Sequence, residues 1–251
     1  MSAMGYERVG EGVHPPLRFP PYRSNLTRSP DRGLIVQPHT LSELTGPVFG
    51  DRPIGRNDHA LTAQHESSPI GERIIVHGQV LDGRGRPVPR TLVEIWQSNA
   101  AGRYRHDRDA TAAPLDPNFT GGGRTLTDDD GRYRFITVKP GPYPWKNHHN
   151  AWRPAHIHFS LFGPAFATRL ITQMYFPGDP LFPFDPIFAS VPEPARQRLV
   201  ARFDLEAGVP DEALAFRWDI VLRGPGKLDV MERTDGLRRR QRVRHLRPPS
   251  E

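Results

Sequence analysis

Proline and glycine recur so often in this sequence that a long helix has little room to form. The 251 residues include 28 Pro and 23 Gly, against a hydrophobic content of only 36%. Pro removes a backbone donor and Gly weakens helix interiors, so short extended segments joined by turns are expected in place of a helix bundle. The patterned segments agree with this. Residues 73–81 read as a strand that ends in the turn dipeptide Asp82-Gly83, and a second strand follows at 91–96, a strand–turn–strand signature. Further strands are expected at 132–138, 155–162, 169–176 and 215–222, each rich in β-branched or aromatic residues. The fold class is therefore all-β: a β-sandwich of two mainly antiparallel sheets with long loops, few short helices and an extended N-terminal arm. One clear helix is expected at 193–203, where Pro194 suits the first turn and Ala195, Leu199, Val200 and Phe203 space out an apolar stripe.

A chain of this length can bury one sizeable core. Residues 1–70, rich in Pro, His and polar side chains, read as an arm that needs a partner surface to become ordered. Residues 71–226 read as the sandwich domain and 227–251 as a basic tail. The formal charge of +6 and pI near 10.0 raise the question of nucleic acid, but eight Lys/Arg and four Asp/Glu put +4 of that excess in the tail. Arg238, Arg239, Arg240, Arg242 and Arg244 thus read as a solvated run, and no nucleic-acid partner is expected. No stretch approaches the roughly 18 apolar residues of a membrane span, and the start MSAMGYERVGEG lacks an apolar signal core. A cytoplasmic protein without a membrane partner is expected. Cysteine is absent, which excludes disulfides, iron–sulfur clusters, zinc–thiolate sites and thiol nucleophiles. Any metal must rest on His, Tyr, Asp or Glu.

The segment Trp152-Arg153-Pro154-Ala155-His156-Ile157-His158-Phe159 supplies two such donors. Strand alternation sends His156 and His158 to one face, about 7 Å apart, and Ile157 and Phe159 to the other. His-x-His alone also describes ordinary polar-face histidines. Its setting adds weight: Arg153, Trp145 and Tyr143 lie within fifteen positions, in a Pro-rich stretch that can form neither helix nor central strand. Two neutral imidazoles leave a trivalent ion unbalanced, and a tyrosine phenolate becomes accessible once a cation stabilises it. Tyr104, in Gly102-Arg103-Tyr104-Arg105-His106, and Tyr143, in Pro142-Tyr143-Pro144, stand out among the six tyrosines, although either one alone reads more readily as a core or surface tyrosine. His148-His149 reads as an exposed turn.

These motifs, with Thr91-Leu92-Val93-Glu94-Ile95-Trp96-Gln97 and Pro114-Leu115-Asp116-Pro117-Asn118-Phe119, resemble the β subunits of the protocatechuate 3,4-dioxygenases, within the intradiol ring-cleavage dioxygenase family. The similarity extends from about Pro15 to Arg223. It implies one non-haem Fe(III) per chain and no organic cofactor, with Tyr104 and His158 as equatorial-type and Tyr143 and His156 as axial-type ligands. Trp145, Arg153, Gln173 and Ile187 are implied as contacts to substrate or intermediates. Tyr143 is implied to be ligand and base in turn, and Arg153 to stabilise developing negative charge. The implied reaction opens protocatechuate with O2 to 3-carboxy-cis,cis-muconate, in the β-ketoadipate route of aromatic degradation, beside an α subunit in a hetero-oligomer. Two alternatives stand beside it: a catechol or hydroxyquinol 1,2-dioxygenase, disfavoured because residues 1–70 lack a helical stripe, and a non-catalytic assembly subunit of the same sandwich, disfavoured by the four intact ligands.

Overall fold

The computed structural model describes residues 14–33, 35, 53–162 and 169–222; the basic tail and much of the expected arm lie outside the described residues. One sheet holds β1 (Arg73–Leu81), β4 (Arg132–Val138), β9 (Arg202–Phe203), β10 (Leu214–Arg217) and β11 (Ile220–Val221). The other holds β2 (Leu92–Trp96), β3 (Gly122–Leu126), β7 (His156–Phe162) and β8 (Arg169–Tyr175) in the order β3-β2-β7-β8. A two-residue ladder joins β5 (Tyr143–Pro144) to β6 (Trp152–Arg153). Pairing is antiparallel except where β10 and β11 run parallel to β1.

Alternation along each strand decides what lies between the sheets. Ile74, Val76 and Val80 of β1 and Phe135 of β4 meet Val93 and Ile95 of β2 and Ile157, Phe159 and Leu161 of β7 in one apolar core. The Phe159 ring sits edge-on to Phe135 at 6.3 Å and to Trp218 at 4.8 Å. Each such side chain contributes about 1.5–3 kcal/mol by leaving water. This core fixes β7 and so fixes what its opposite face presents.

The structure corrects three sequence readings. The turn after β1 does not make a hairpin with β2, because β1 and β2 belong to different sheets and the chain crosses between them. The helix expected at 193–203 is one turn, α3 (Glu193–Arg196), continued by a 3-10 turn at Gln197–Leu199, after which Arg202 and Phe203 pair with Arg217 and Phe216. Phe203 is exposed, so the supposed stripe has no buried end. The strand expected at 215–222 is split into β10 and β11 around Trp218-Asp219, with Trp218 turned into the core. Two other short helices flank the sandwich, α1 (Arg23–Arg28) and α2 (Pro186–Ser190).

Candidate metal centre

Strand β7 carries His156 and His158 on the face away from the core, as alternation requires, and the two rings sit closer than their backbone spacing, with centroids 4.9 Å apart. Tyr104 and Tyr143 arrive from two loops. Tyr104 follows a turn held by Asn99, whose Oδ1 accepts from the Ala101 and Arg103 N–H groups, while Asp109 Oδ2 accepts from the Tyr104 N–H at 2.8 Å. Tyr143 sits on the β5–β6 ladder opposite Arg153. Two glycines let these loops touch. Gly102 has φ +81°, and a Cβ there would fall 2.1 Å from the Pro142 carbonyl oxygen; a Cβ on Gly141 would fall 2.4 Å from that of Ala100.

The result is a cluster of four rings. Tyr104 lies 5.3 Å from Tyr143 and 6.3 Å from His158, and Tyr143 lies 5.5 Å from His156, centroid to centroid. The Tyr143 hydroxyl is 3.4 Å from His156 Nε2. His156 Nδ1 is 2.7 Å from the Pro154 carbonyl oxygen, which accepts its proton and leaves Nε2 as the lone-pair nitrogen. His158 stacks face to face on Trp96, with centroids 4.7 Å apart and planes 4° from parallel.

Electrostatics set the protonation states. Burial, then the Arg153 charge, hold His156 well below the ordinary imidazole range and His158 down to about 4, so both rings are neutral and able to donate lone pairs. Burial, and then the neighbouring Tyr143, push the Tyr104 phenol far above its ordinary value. Burial also raises Tyr143, against an opposing pull from Arg153. The Tyr104 oxygen is shut off from solvent, with a contact to the Tyr143 hydroxyl too poorly formed to satisfy it. Such an atom is costly to bury unless something else occupies its lone pairs. Two neutral imidazoles beside two phenols that only a strong positive charge could ionise form a donor set suited to a hard trivalent cation. Among the described residues no three His, Cys, Asp or Glu gather into an alternative metal site.

The other sequence-predicted residues surround this cluster. Arg153 is buried, its Cζ 5.6 Å from the Trp145 ring centre. Its Nε donates to Asp185 Oδ2 at 3.1 Å, and its Nη2 to Gln173 Oε1 at 2.6 Å and to the Tyr175 hydroxyl at 3.1 Å. Gln173 also brings Nε2 to 3.4 Å from His158 Nδ1. Ile187, half-buried, sits on α2 directly after Asp185 and Pro186. His148 and His149 are exposed.

Sequence reasoning missed several neighbours. Tyr175 and Asp185 complete the Arg153 cage, and the Asp185-Pro186 pair was legible as a helix-start signal. Tyr22 packs on Trp145 at 5.7 Å because buried Asn147 clamps the N-terminal segment: its Oδ1 accepts from the Arg23 N–H and its Nδ2 donates to the Pro21 carbonyl. No local signal marks that contact.

Comparison with known proteins identifies the family. Residues 44–224 match the family model described as "Dioxygenase", and residues 6–40 match "Protocatechuate 3,4-dioxygenase beta subunit N terminal". The chain is 56% identical over 213 residues to the protocatechuate 3,4-dioxygenase beta chain of Burkholderia cepacia, covering 84% of this chain and 91% of that one. It is 33% identical to the alpha chain from the same organism, over 74% of this chain and 93% of that one. The solved 3-chlorocatechol 1,2-dioxygenase of Rhodococcus opacus 1CP superposes with a TM-score of 0.54 at 25% identity, over 72% of this chain and 71% of that one.

Proposed function

The chain belongs to the intradiol dioxygenase family, among relatives of protocatechuate 3,4-dioxygenase beta chains, and from that premise we propose that Tyr104, Tyr143, His156 and His158 hold one non-haem Fe(III) and that the chain cleaves protocatechuate with O2 to 3-carboxy-cis,cis-muconate. The observation that carries this reading is the clustering of two neutral imidazoles and two half-buried phenols, with the Tyr104 oxygen shut off from solvent beside Tyr143. When bound there, the ion supplies Lewis acidity toward the two oxygens of a catechol.

The protein's own groups do the rest. Tyr143 is on a two-residue ladder outside both main sheets, whereas His156 and His158 sit inside the four-stranded one. Burial raises the Tyr143 phenol, so its phenolate would be a strong base, placed to take a proton from an incoming catechol hydroxyl at its oxygen. Tyr104, His156 and His158 stay in place, the histidines pinned by Pro154 and Trp96. Arg153, fixed by its three partners and permanently charged, stabilises negative charge developing on the ring and on oxygen, an oxyanion-type role. Trp145 and Ile187 wall the ring slot, and Gln173 orients Arg153.

An α partner completes the assembly. The outer face of the four-stranded sheet exposes Trp96, Leu126 and Ile171 around Glu94, Arg124 and Ser160, continuous with His158 and Gln173. A face of mixed apolar and polar residues running up to the site suits a second chain of the same fold. Among the described residues no helix is long and apolar enough to cross a membrane. Replacing Tyr104 with Phe or His158 with Ala in the assembled protein is expected to remove iron and oxygen uptake together; unchanged iron content and unchanged uptake would sink the reading.

A further inference from the structure

Asp185 is 0% exposed, and both of its oxygens are committed to neighbours that face the pocket. Oδ2 accepts from Arg153 Nε at 3.1 Å, and Oδ1 accepts from the Ile187 N–H at 3.0 Å. Its own carbonyl accepts from the Ala189 N–H at 2.8 Å, closing the first turn of α2. Pro186, at the first helical position, has no N–H to compete for the side chain. A helix-capping aspartate normally sits in water. This one is buried against a guanidinium that is itself only 4% exposed, so its charge is kept at a desolvation cost that one ordinary cap would not justify.

We propose that Asp185 is a positioning residue for ring cleavage, locking the Arg153 guanidinium and the Ile187 wall into one unit. The inference rests on the intradiol reading above. Arg153 and Ile187 lie 34 positions apart, on β6 and α2, and the Asp185 side chain is bonded to both. Arg153 reaches Asp185 through Nε and its two neutral partners through Nη2, on the side of the guanidinium where Tyr143 also feels its charge. Gln173 and Tyr175 hold Nη2, and the Tyr175 hydroxyl also donates to Gln173 Oε1 at 2.7 Å. Those two neutral groups fix a direction, whereas only Asp185 fixes the guanidinium with a charge. Losing it leaves Arg153 free to swing about its remaining bonds, while a neutral acceptor at the same position would still cap Ile187.

The test uses the iron-loaded chain assembled with its α partner. Asp185→Asn retains the Ile187 cap and removes the negative charge that faces Arg153. It is expected to lower kcat by about tenfold to a hundredfold, the usual penalty for a displaced catalytic group. The Kd for protocatechuate, measured without oxygen, should stay within about threefold, because Asn caps nearly as well as Asp. Asp185→Glu keeps the charge but lengthens the side chain by one methylene, so it is judged if the Asn variant does not fold, and a loss of kcat is expected there too. Wild-type kcat in the variant that folds, or Kd and kcat worsening in equal proportion, overturns the proposal. Absence of oxygen uptake in the wild-type assembly would instead fault the intradiol reading, a separate failure.

Discussion

The two faces of strand β7 serve opposite ends. On one, Ile157, Phe159 and Leu161 are 0% exposed in a dry core that joins the two sheets. On the other, one residue away in each case, His156 and His158 are held neutral beside two phenols and an arginine. The first face gains free energy from burial alone. The second gives some of it up, since polar imidazole and phenol groups are taken out of water there. Stability and chemistry are thus carried by alternate residues of one strand. The rigidity of the apolar face is what lets the polar face stay costly and still well placed.

The sharpest way to break that comparison is to truncate one residue on each face. His158→Ala is expected to lower oxygen uptake by about a thousandfold, the several kcal/mol that Lewis-acid activation supplies, with iron content falling alongside. Its thermal midpoint should move little. Phe159→Ala is expected to do the reverse: a loss of about 3–5 kcal/mol in denaturant unfolding, with near-normal iron per folded molecule. If both variants lose stability alike, the faces are not divided as described.

A pH titration of the metal-free chain probes the polar face alone. Both histidines bind protons less readily when folded than the ordinary imidazole near 6.5, and His158 does so only at about 4. A group with a lowered folded value leaves the unfolded chain as the one that takes up protons first. Stability should therefore be fully present above about pH 6.5 and fall as pH drops from there toward 4, by at most about 1.4 kcal/mol per pH unit for each histidine. His158→Gln should reduce that slope, whereas Phe159→Ala should lower the whole curve without changing it. An unchanged slope in His158→Gln would contradict the assignment.

The smallest effect concerns the arm. Asn147→Ala removes two hydrogen bonds that fasten Pro21 and Arg23 beside Trp145, worth about 1–3 kcal/mol together. Amide exchange at Arg23 should accelerate while exchange in β7 stays unchanged. Equal acceleration in both would mean that the segment belongs to the same cooperative unit as the core.

How much of this was legible in the sequence follows from the range of the forces involved. Strands β1, β4 and β7 show period-two alternation within a few residues, and reading them needs no knowledge of the rest of the fold. The four proposed ligands were nameable only through a resemblance of motifs, because His-x-His on one strand and a tyrosine in a Pro- or Gly-rich loop each describe ordinary residues when taken singly. Strand β3 escaped because it begins in Gly122-Gly123, a poor strand signal, although Gly123 gives the Leu61 side chain room to pack. The helix at 193–203 was overread because Phe203 kept the apolar spacing while its ring packs on Phe216 across a strand pair. Asp185, Tyr175 and Asn147 lie 32, 22 and 126 positions from the partners that give them meaning. Nothing short of the folded chain brings them together.

The claim that two phenolates hold a ferric ion can be tested most directly by its colour. The iron-loaded assembly, kept free of oxygen, should absorb visible light through tyrosinate-to-iron charge transfer, and protocatechuate should shift that band as Tyr143 is released. Tyr104→Phe should weaken the band in the resting protein. Stoichiometric iron with no visible band, or a band untouched by both protocatechuate and Tyr104→Phe, would contradict the four-ring centre.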